Sequence, residues 1–247
     1  MTQKEFRIDS AGGLPAYRVR VSPRARQVLL KVHPRDGLCV VVPPDFDPRL
    51  IPEVVARRKD WISETMARFR AERDQAGCGA ADEPPMLLDF RAVAETWQLD
   101  YAPRPGQALK LTANSHGRLL VSGEPTEEEA LRHLLRAFIR RRATALLPPQ
   151  VRALAADTGL CPSRIAVRFQ RSRWGSCSAA GHVNLNAKIL FLPPELARHV
   201  LLHEFCHLAH LNHGPDFHAL LAGLSPGSAE LERRLSRAMV YAPAFLG

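Results

Sequence analysis

The most informative segment of this chain is His203-Glu204-Phe205-Cys206-His207, and His213 follows six residues later. Residues four apart lie on one face of an α-helix, one turn above each other. Two imidazoles placed in this way can share one tetrahedral zinc ion. The glutamate beside the first histidine can reach a metal-bound water and act as its general base. The H-E-x-x-H pattern therefore predicts a zinc site on a helix, with the catalytic base included.

The residues before this motif favour the start of a buried helix. Pro193-Pro194-Glu195 fits a first turn, because proline is tolerated there and an acidic side chain suits the helix dipole. Val200-Leu201-Leu202, together with Phe205 and Leu208, makes the helix apolar on nearly all sides. Burying two histidines and a glutamate in such a helix is costly unless the side chains are paired or bind a metal. This context favours the metal site over a chance match.

A catalytic zinc usually has three protein ligands and one open position, so a third ligand must come from elsewhere. We choose His213, because Asn212 tolerates the left-handed conformation that ends a helix and Gly214-Pro215 prevents its continuation. A chain that turns there can carry His213 back toward the metal. The competing histidines are His199, His210 and His218. We expect His199 to be partly exposed or to contact one of the metal-binding side chains. In a continued helix His210 would lie too far from a metal between His203 and His207, and His218 belongs to a further short helix.

Four segments carry a resemblance to a known family. They are Arg173-Trp174-Gly175-Ser176-Cys177-Ser178, Gly181-His182-Val183-Asn184-Leu185-Asn186, His203-Glu204-Phe205-Cys206-His207-Leu208 and Asn212-His213-Gly214-Pro215-Asp216-Phe217. Together they look like the YgjP-like zinc metallopeptidases, which are related more distantly to SprT-like proteases. The resemblance is dense from about Arg164 to Leu221. It implies zinc at His203, His207 and His213, with Glu204 catalytic.

The chain departs from the family pattern at two places. His218 stands where the family usually has a tryptophan, and Leu88-Asp89-Phe90 stands where a glycine-containing strand turn would be expected. Both departures concern substrate contacts and packing rather than the metal site.

The composition is that of a globular protein. The chain has 247 residues, of which 46% are hydrophobic and 24% charged, enough to bury a sizeable core. The apolar runs are too short to span a membrane, and the N-terminal residues lack the apolar core of a secretory signal. The five cysteines are odd in number and form no C-x-x-C pair, which favours free thiols in a reducing cytoplasm.

The formal net charge is +9, and a nucleic-acid partner is compatible with this value. Two local clusters, Arg57-Arg58-Lys59 and Arg140-Arg141-Arg142, lie on predicted helices and most simply form solvated faces. No zinc finger, RNA-recognition signature or glycine-rich phosphate loop accompanies them, so no motif indicates nucleic acid.

The N-terminal third predicts a small β-rich portion followed by a helical stretch. Strands between Tyr17 and Val42 include a hairpin around the turn signal Pro34-Arg35-Asp36-Gly37. A helical stretch opens at Asp47-Pro48 and runs to about Arg73, with Trp61 expected as a core anchor. The stretch from Gly77 to Pro85 is the candidate linker. We therefore expect an N-terminal portion over residues 1–76 and a metallopeptidase domain over residues 86–247.

The remainder predicts an α+β layout: a zincin-like catalytic domain with a small sheet beside the metal helix, and no internal repeat. Its expected elements are strands near Val93–Tyr101, Leu109–Thr112, Leu119–Ser122, Ile165–Gln170 and Val183–Ala187, a helix from the capping box Thr126-Glu127-Glu128-Glu129 to about Leu147, a second after Pro148-Pro149 to Asp157, a loop at Trp174, a short helix over Phe217–Leu221 and a closing helix over Glu230–Met239. The resemblance suggests that the strand at Val183–Asn186 holds an extended peptide at an exposed edge.

These observations predict a zinc-dependent hydrolase that cleaves peptide bonds in peptides or proteins, with Glu204 deprotonating the zinc-bound water. Candidates for stabilising the oxyanion are Arg171, Arg173 and the backbone around Trp174. Two alternatives stay open: an SprT-like protease acting on DNA-associated proteins, and a zinc protein that binds a partner without catalysis. Glu204 speaks against the second, because a structural site needs no base.

Overall fold

The chain forms two compact units, Met1–Cys78 and Gly79–Gly247. Both contain helices and β-sheet, which confirms the predicted α+β class. The predicted linker falls mostly on residues 76–82, outside the described part, so the proposed boundaries stay a prediction. No helix in the described ranges is long and apolar enough to cross a bilayer. The computed structural model describes residues 5–8, 15–33, 37–75, 83–124 and 128–247.

The first unit is a four-stranded sheet followed by two helices. The strands lie in the order β1-β2-β4-β3, with β2 and β4 parallel and the outer strands antiparallel to their neighbours. The predicted hairpin is confirmed as the β3–β4 pair, although residues 34–36 of its turn lie outside the described residues. The elements are β1 (Glu5–Ile8), β2 (Tyr17–Val21), β3 (Leu29–His33), β4 (Gly37–Val42), α1 (Ile51–Ala56) and α2 (Lys59–Gln75).

The helical stretch of this unit differs from its prediction in two ways. Asp47 caps a short 3-10 helix by accepting from the Arg49 amide at 2.9 Å, and two separate α-helices follow it. The expectation that Trp61 anchors the core is wrong, because its side chain is 44% exposed. The inward face of α2 carries Ile62 and Phe69, seven residues apart, and Trp61 lies off that face.

The second unit begins with another four-stranded sheet. Its order is β5-β6-β8-β7, with β6 and β8 parallel and the outer strands antiparallel. Leu88-Asp89-Phe90, where a glycine-containing turn was expected, belongs to β5, and Leu88 and Phe90 are fully buried. The strands are β5 (Leu87–Phe90), β6 (Glu95–Pro103), β7 (Lys110–Ala113) and β8 (Arg118–Gly123).

The two four-stranded sheets repeat one connectivity, contrary to the expectation of no internal repeat. Gly37 is the first residue of β4 and Gly117 directly precedes β8, and both are left-handed, with φ of 69° and 73°. Identical residues also recur at one constant spacing. The pairs are Pro23 and Pro103, Arg24 and Arg104, Gln27 and Gln107, Leu29 and Leu109, Gly37 and Gly117, and Val41 and Val121.

A single helix, α3 (Glu128–Thr158), follows the second sheet. Residues 126–127 of the predicted capping box lie outside the described part. The predicted break at Pro148-Pro149 is wrong, since α3 runs through both prolines. Each proline removes one hydrogen bond to a carbonyl four residues earlier. Those carbonyls belong to Thr144 and Ala145, both exposed, so water can satisfy them. A buried stripe that continues past the prolines holds the helix together; it comprises Leu135, Ile139, Ala143, Leu147, Val151 and Leu154.

A three-stranded sheet lies beside the motif helix, in the order β10-β11-β9. The central strand, β11, is antiparallel to β10 and parallel to β9. The suggestion that Val183–Asn186 forms an exposed edge is therefore wrong, because this segment is paired on both sides. The edge next to the motif helix is β10, a short strand in what was predicted to be a loop. The strands are β9 (Arg164–Arg168), β10 (Gly175–Cys177) and β11 (His182–Asn186).

Three helices complete the unit: α4 (Pro194–Ala209), α5 (Pro215–Leu224) and α6 (Ser228–Leu235). The predicted closing helix is shorter than expected, and a separate 3-10 helix, Ala238–Tyr241, follows it. Helix α4 is buried on most sides, as its sequence predicts, and it packs against β10, α5 and α6. The motif residues are therefore carried by the most enclosed helix of this unit.

Candidate metal centre

Helix α4 presents His203 and His207 on one face, with Glu204 beside them. The helix begins at Pro194, as predicted, and Val200, Leu201 and Phe205 are buried in the core. This packing fixes the rotation of α4 about its axis. The rings of His203 and His207 then lie 5.1 Å apart between centroids.

His213 joins this pair from the segment between α4 and α5. Its Nε2 lies 3.1 Å from Nε2 of His203, and its ring centroid lies 4.7 Å from that of His207. The nitrogen atoms that the three residues offer all lie within 4.8 Å of one another. Across the described ranges, no other group of three or more potential metal ligands was found. The structure thus brings together the three histidines singled out in the sequence.

The turn that delivers His213 is built differently from its prediction. Helix α4 ends at Ala209, and His210 leaves it in an extended conformation, with φ −133° and ψ 105°. Asn212 does not adopt a left-handed conformation; among the described residues, Ala94 is the only non-glycine that does. The helix therefore ends before the position predicted from Asn212, which gives His213 the length of chain that it needs.

The competing histidines take other positions. His210 contributes its backbone carbonyl, which accepts from Nδ1 of His207 at 3.1 Å. His218 is exposed on α5, with its ring centroid 6.3 Å from that of His213. His199 is fully buried rather than partly exposed.

The Nδ1 atoms of the two motif imidazoles each have a polar partner. Nδ1 of His203 lies 2.9 Å from Oε1 of Glu232 in α6, and Nδ1 of His207 donates to the His210 carbonyl. A proton engaged at Nδ1 leaves the Nε2 lone pair free to bind a metal. Burial lowers the pKa of both histidines, which favours the neutral ring that a metal ligand requires. The carboxylate of Glu232 opposes this effect at His203.

Phe217 packs against all three rings of the histidine cluster. It is fully buried in α5, and its ring centroid lies 5.0, 4.7 and 4.6 Å from those of His203, His207 and His213. An apolar ring under all three imidazoles limits their tilt and excludes water from that side. The sequence showed this residue only as part of a family motif, because a phenylalanine in a short helix is usually read as core.

Glu204 is the buried carboxylate of the site. Only 5% of the residue is exposed, and Oε2 has no hydrogen-bond partner. Burial raises the pKa of Glu204 to about 7, and the positive charge of Arg173 acts in the opposite direction. A buried carboxylate oxygen without a partner is unusual and indicates a group that this site is built to receive.

Gly175, in β10, faces the side chain of Glu204. A Cβ atom at this position would come within 2.8 Å of Cγ and 2.7 Å of Cδ of Glu204, and closer still to Oε1. Only glycine therefore allows the strand to approach the carboxylate in this way. The sequence placed Gly175 only beside the predicted loop at Trp174, and its closeness to Glu204 depends on packing between β10 and α4.

Asn186 fixes the loop that leads into β10. Its buried side-chain amide donates to the carbonyls of Gln170 at 3.0 Å and Arg173 at 2.7 Å. Its backbone amide donates to the Trp174 carbonyl at 2.7 Å. These bonds set the path of the loop just before Gly175. They also place Arg173 where its charge acts on Glu204.

The donor set suits zinc. Neutral imidazoles are common zinc ligands, and three protein ligands with one open position are typical of catalytic zinc. Zinc–nitrogen bonds of about 2.0–2.1 Å in a tetrahedron place ligand nitrogens about 3.3 Å apart. The 3.1 Å between the Nε2 atoms of His203 and His213 is close to this value. The unpartnered Oε2 of Glu204 supplies an acceptor for a polar group in the same site.

Comparison with known protein families gives a match to the YgjP-like metallopeptidase domain over residues 26–238. The chain belongs to the YgjP-like family. The match covers most of the chain and spans parts of both compact units. As a YgjP-like metallopeptidase, the protein is a peptidase, a hydrolase whose substrates are peptides or proteins, and it requires a metal ion.

One solved structure similar to this YgjP-like chain is the metallopeptidase zymogen abylysin of Pyrococcus abyssi. The two share 21% sequence identity and a TM-score of 0.33. The similar region covers 36% of this chain and 91% of the abylysin chain. A search of the curated proteins finds no match.

Proposed function

We propose that this protein is a zinc-dependent metallopeptidase in which His203, His207 and His213 hold the metal and Glu204 is the general base. One observation carries the proposal: three imidazole nitrogens converge beside a buried carboxylate whose Oε2 has no partner. The three converging nitrogens would bind the metal, and the carboxylate would serve as the base for hydrolysis.

Each side chain has a defined part in the proposed reaction. The three histidines bind through Nε2 where Nδ1 is engaged, as in His203 and His207. A bound zinc ion would acidify water and polarise the scissile carbonyl. Glu204 accepts the proton of the attacking water at Oε2 and passes it to the leaving amine. Its pKa, raised to about 7 by burial, suits a group that takes up and releases a proton near neutral pH.

We propose that substrate binds along β10 rather than along β11. One side of β10 pairs with β11, and within the described residues no strand pairs with the other side. An extended peptide can add to such an edge by backbone hydrogen bonds. Because Gly175 of β10 faces Glu204, a peptide on this edge would run past the proposed base.

The alternative functions have less support. A purely structural zinc protein does not need a carboxylate kept buried with a free oxygen at the site. Nucleic acid is not indicated by the family or by the described residues, so the net charge of +9 alone does not favour an SprT-like role.

Zinc content and hydrolysis, measured on the same preparation, test the proposed function. We expect about one zinc per chain and cleavage of an unfolded casein-type protein. A chelator should abolish the cleavage, and added zinc should restore it. A preparation that binds zinc but leaves the unfolded protein intact would support the non-catalytic alternative. Binding of DNA that weakens steeply with salt would support the SprT-like one.

Gly175→Ala is expected to slow hydrolysis without removing zinc. The added methyl group would overlap Glu204, so the carboxylate must move, and the three nearest atoms to this methyl group all belong to Glu204 rather than to a histidine. A displacement of about 1 Å at a catalytic group can reduce the rate roughly 10²-fold. The measurement is the rate of peptide hydrolysis at equal zinc occupancy.

Gly223→Ala is the matched control for this substitution. Gly223 lies in α5, and a Cβ atom there would meet no atom within 4 Å. We expect wild-type hydrolysis from this control. The proposed closeness of Gly175 to the base is wrong if Gly175→Ala also hydrolyses at the wild-type rate.

We also propose a reducing, cytoplasmic location, with all five cysteines as free thiols. The four described cysteines, Cys39, Cys161, Cys177 and Cys206, form no disulfide. Burial raises the pKa of Cys206 to about 11 and also raises that of Cys177, so both thiols are protonated and unreactive at neutral pH. Titration of denatured, unreduced protein from its native host should find five thiols. A lower count caused by intramolecular disulfides would contradict the proposed location.

A further inference from the structure

Two histidines of α4, one turn apart, face the same carboxylate. Nδ1 of His203 lies 2.9 Å from Oε1 of Glu232, and Nε2 of His199 lies 3.7 Å from that same oxygen. Glu232 belongs to α6, so the contact joins two helices. Its side chain is 42% exposed, which makes it the solvent-facing end of an otherwise enclosed group.

His199 continues the group into the core. The residue is fully buried, and its Nδ1 lies 2.9 Å from the hydroxyl of Ser225, which directly follows α5. When the serine hydroxyl donates to Nδ1, the proton of the neutral ring lies on Nε2, the atom that faces Glu232. Nε2 is buried and has no hydrogen-bond partner, so the nearby carboxylate is its source of electrostatic stabilisation.

The same carboxylate selects the tautomer of His203. An ionised carboxylate only accepts hydrogen bonds, so a neutral His203 beside Oε1 carries its proton on Nδ1. Its Nε2 then presents a lone pair, and this atom points at Nε2 of His213 from 3.1 Å. For His207 the equivalent acceptor is a backbone carbonyl, that of His210. Of these two rings, His203 is thus the one held by a side chain.

We propose that Glu232 is a positioning residue for the metal site, which holds His203 in the Nδ1–H tautomer and directs its Nε2 toward the metal. His199 and Ser225 restrain the carboxylate from the buried side. This inference rests on the proposed metal site. Outer carboxylates of this kind typically contribute 10–100-fold to metal affinity by fixing the orientation and tautomer of a histidine ligand.

A second contact between α4 and α6 allows the effect of Glu232 on the metal site to be distinguished from its effect on helix packing. Arg234 of α6 pairs with Glu195 at 2.5 Å, and Glu195 lies in the first turn of α4, about two turns before His203. Loss of Glu232 therefore leaves α6 attached to α4 by an independent ion pair. Arg234→Ala removes that ion pair and keeps Glu232, so it is the matched control.

The first measurement is zinc affinity, by competition with a chromophoric chelator at equilibrium. We expect the zinc dissociation constant to rise 10–100-fold in Glu232→Ala, to recover partly in Glu232→Gln, which keeps a carbonyl acceptor, and to stay at the wild-type value in Arg234→Ala. Apoprotein unfolding midpoints should be similar for Glu232→Ala and Arg234→Ala. Unchanged affinity in Glu232→Ala, or an equal loss in Arg234→Ala, would overturn the proposal.

The second measurement reads the tautomer directly and needs no metal. Nitrogen–proton NMR correlations of the histidine rings should show His203 as Nδ1–H in the wild-type apoprotein and in Arg234→Ala. Glu232→Ala should show a mixture of tautomers. A wild-type His203 with its proton on Nε2 would contradict the inference. Because this result is independent of zinc, a protein that binds no zinc would overturn the proposed function and leave the tautomer assignment to be judged on its own.

Discussion

Replacing Glu204 with glutamine is expected to leave zinc bound and to slow peptide hydrolysis by at least about 10²–10⁴-fold, or roughly 3–5 kcal/mol of barrier. Glutamine keeps the size and hydrogen-bonding capacity of the side chain but cannot take a proton from water at neutral pH. The residue is buried and its Oε2 makes no hydrogen bond, so an uncharged replacement loses no protein partner at that oxygen. The fold should therefore tolerate the change.

The measurement compares wild type and Glu204→Gln on an unfolded casein-type substrate at equal zinc occupancy. Glu195→Gln is the matched control, because Glu195 lies on the same helix but in its first turn, paired with Arg234 away from the histidine cluster. We expect the control to hydrolyse at nearly the wild-type rate. Equal rates for wild type and Glu204→Gln would remove Glu204 from the mechanism and leave the metal site without its proposed chemistry.

His213→Ala is expected to weaken zinc binding by about 10²–10³-fold. Structural zinc sites with four ligands bind with about 10–16 kcal/mol, so one ligand contributes roughly 2.5–4 kcal/mol. His213 also comes from outside α4, so its loss leaves only the two motif histidines of the cluster. Zinc content after gel filtration and competition with a chelator both measure the effect.

His210→Ala is the informative control for the third ligand. His210 serves the site through its backbone carbonyl, which alanine retains, and its imidazole is not part of the cluster. His218→Ala removes an exposed histidine next to His213 and should also keep zinc. If His210→Ala empties the site while His213→Ala does not, the assignment of the third ligand is wrong.

Local sequence was sufficient to predict the features that depend only on residues close together along the chain. The spacing of His203 and His207 follows from helix geometry alone, and the apolar residues between Leu196 and Phe205 bury α4 as predicted. The β3–β4 hairpin followed in the same way from apolar runs on both sides of a turn signal. The structure also brings His213 beside the two motif histidines, although α4 ends at Ala209 and Asn212 is not left-handed.

Several errors arose where packing overrides a local rule. Pro148-Pro149 lie inside α3, because the buried stripe of that helix outweighs two missing hydrogen bonds whose acceptor residues are exposed. Trp61 is partly exposed because the register of α2 turns Ile62 inward instead. Strand β11 is central rather than at an edge, because β10 pairs with it. The sequence did not predict β10, because that strand is too short to show an alternation of apolar and polar residues.

Local sequence was enough to predict the motif helix, its two paired histidines, the adjacent glutamate and the α+β class, because each depends on residues close together along the chain. The surroundings of these residues arise from tertiary packing alone. Phe217 beneath the imidazoles, Gly175 against Glu204, and Glu232 with His199 behind His203 are contacts between separate elements. No periodic pattern in the chain encodes which residues of two elements will meet. That is set by how the elements pack together, and here the packing of α4 against β10, α5 and α6 converts a local motif into a site.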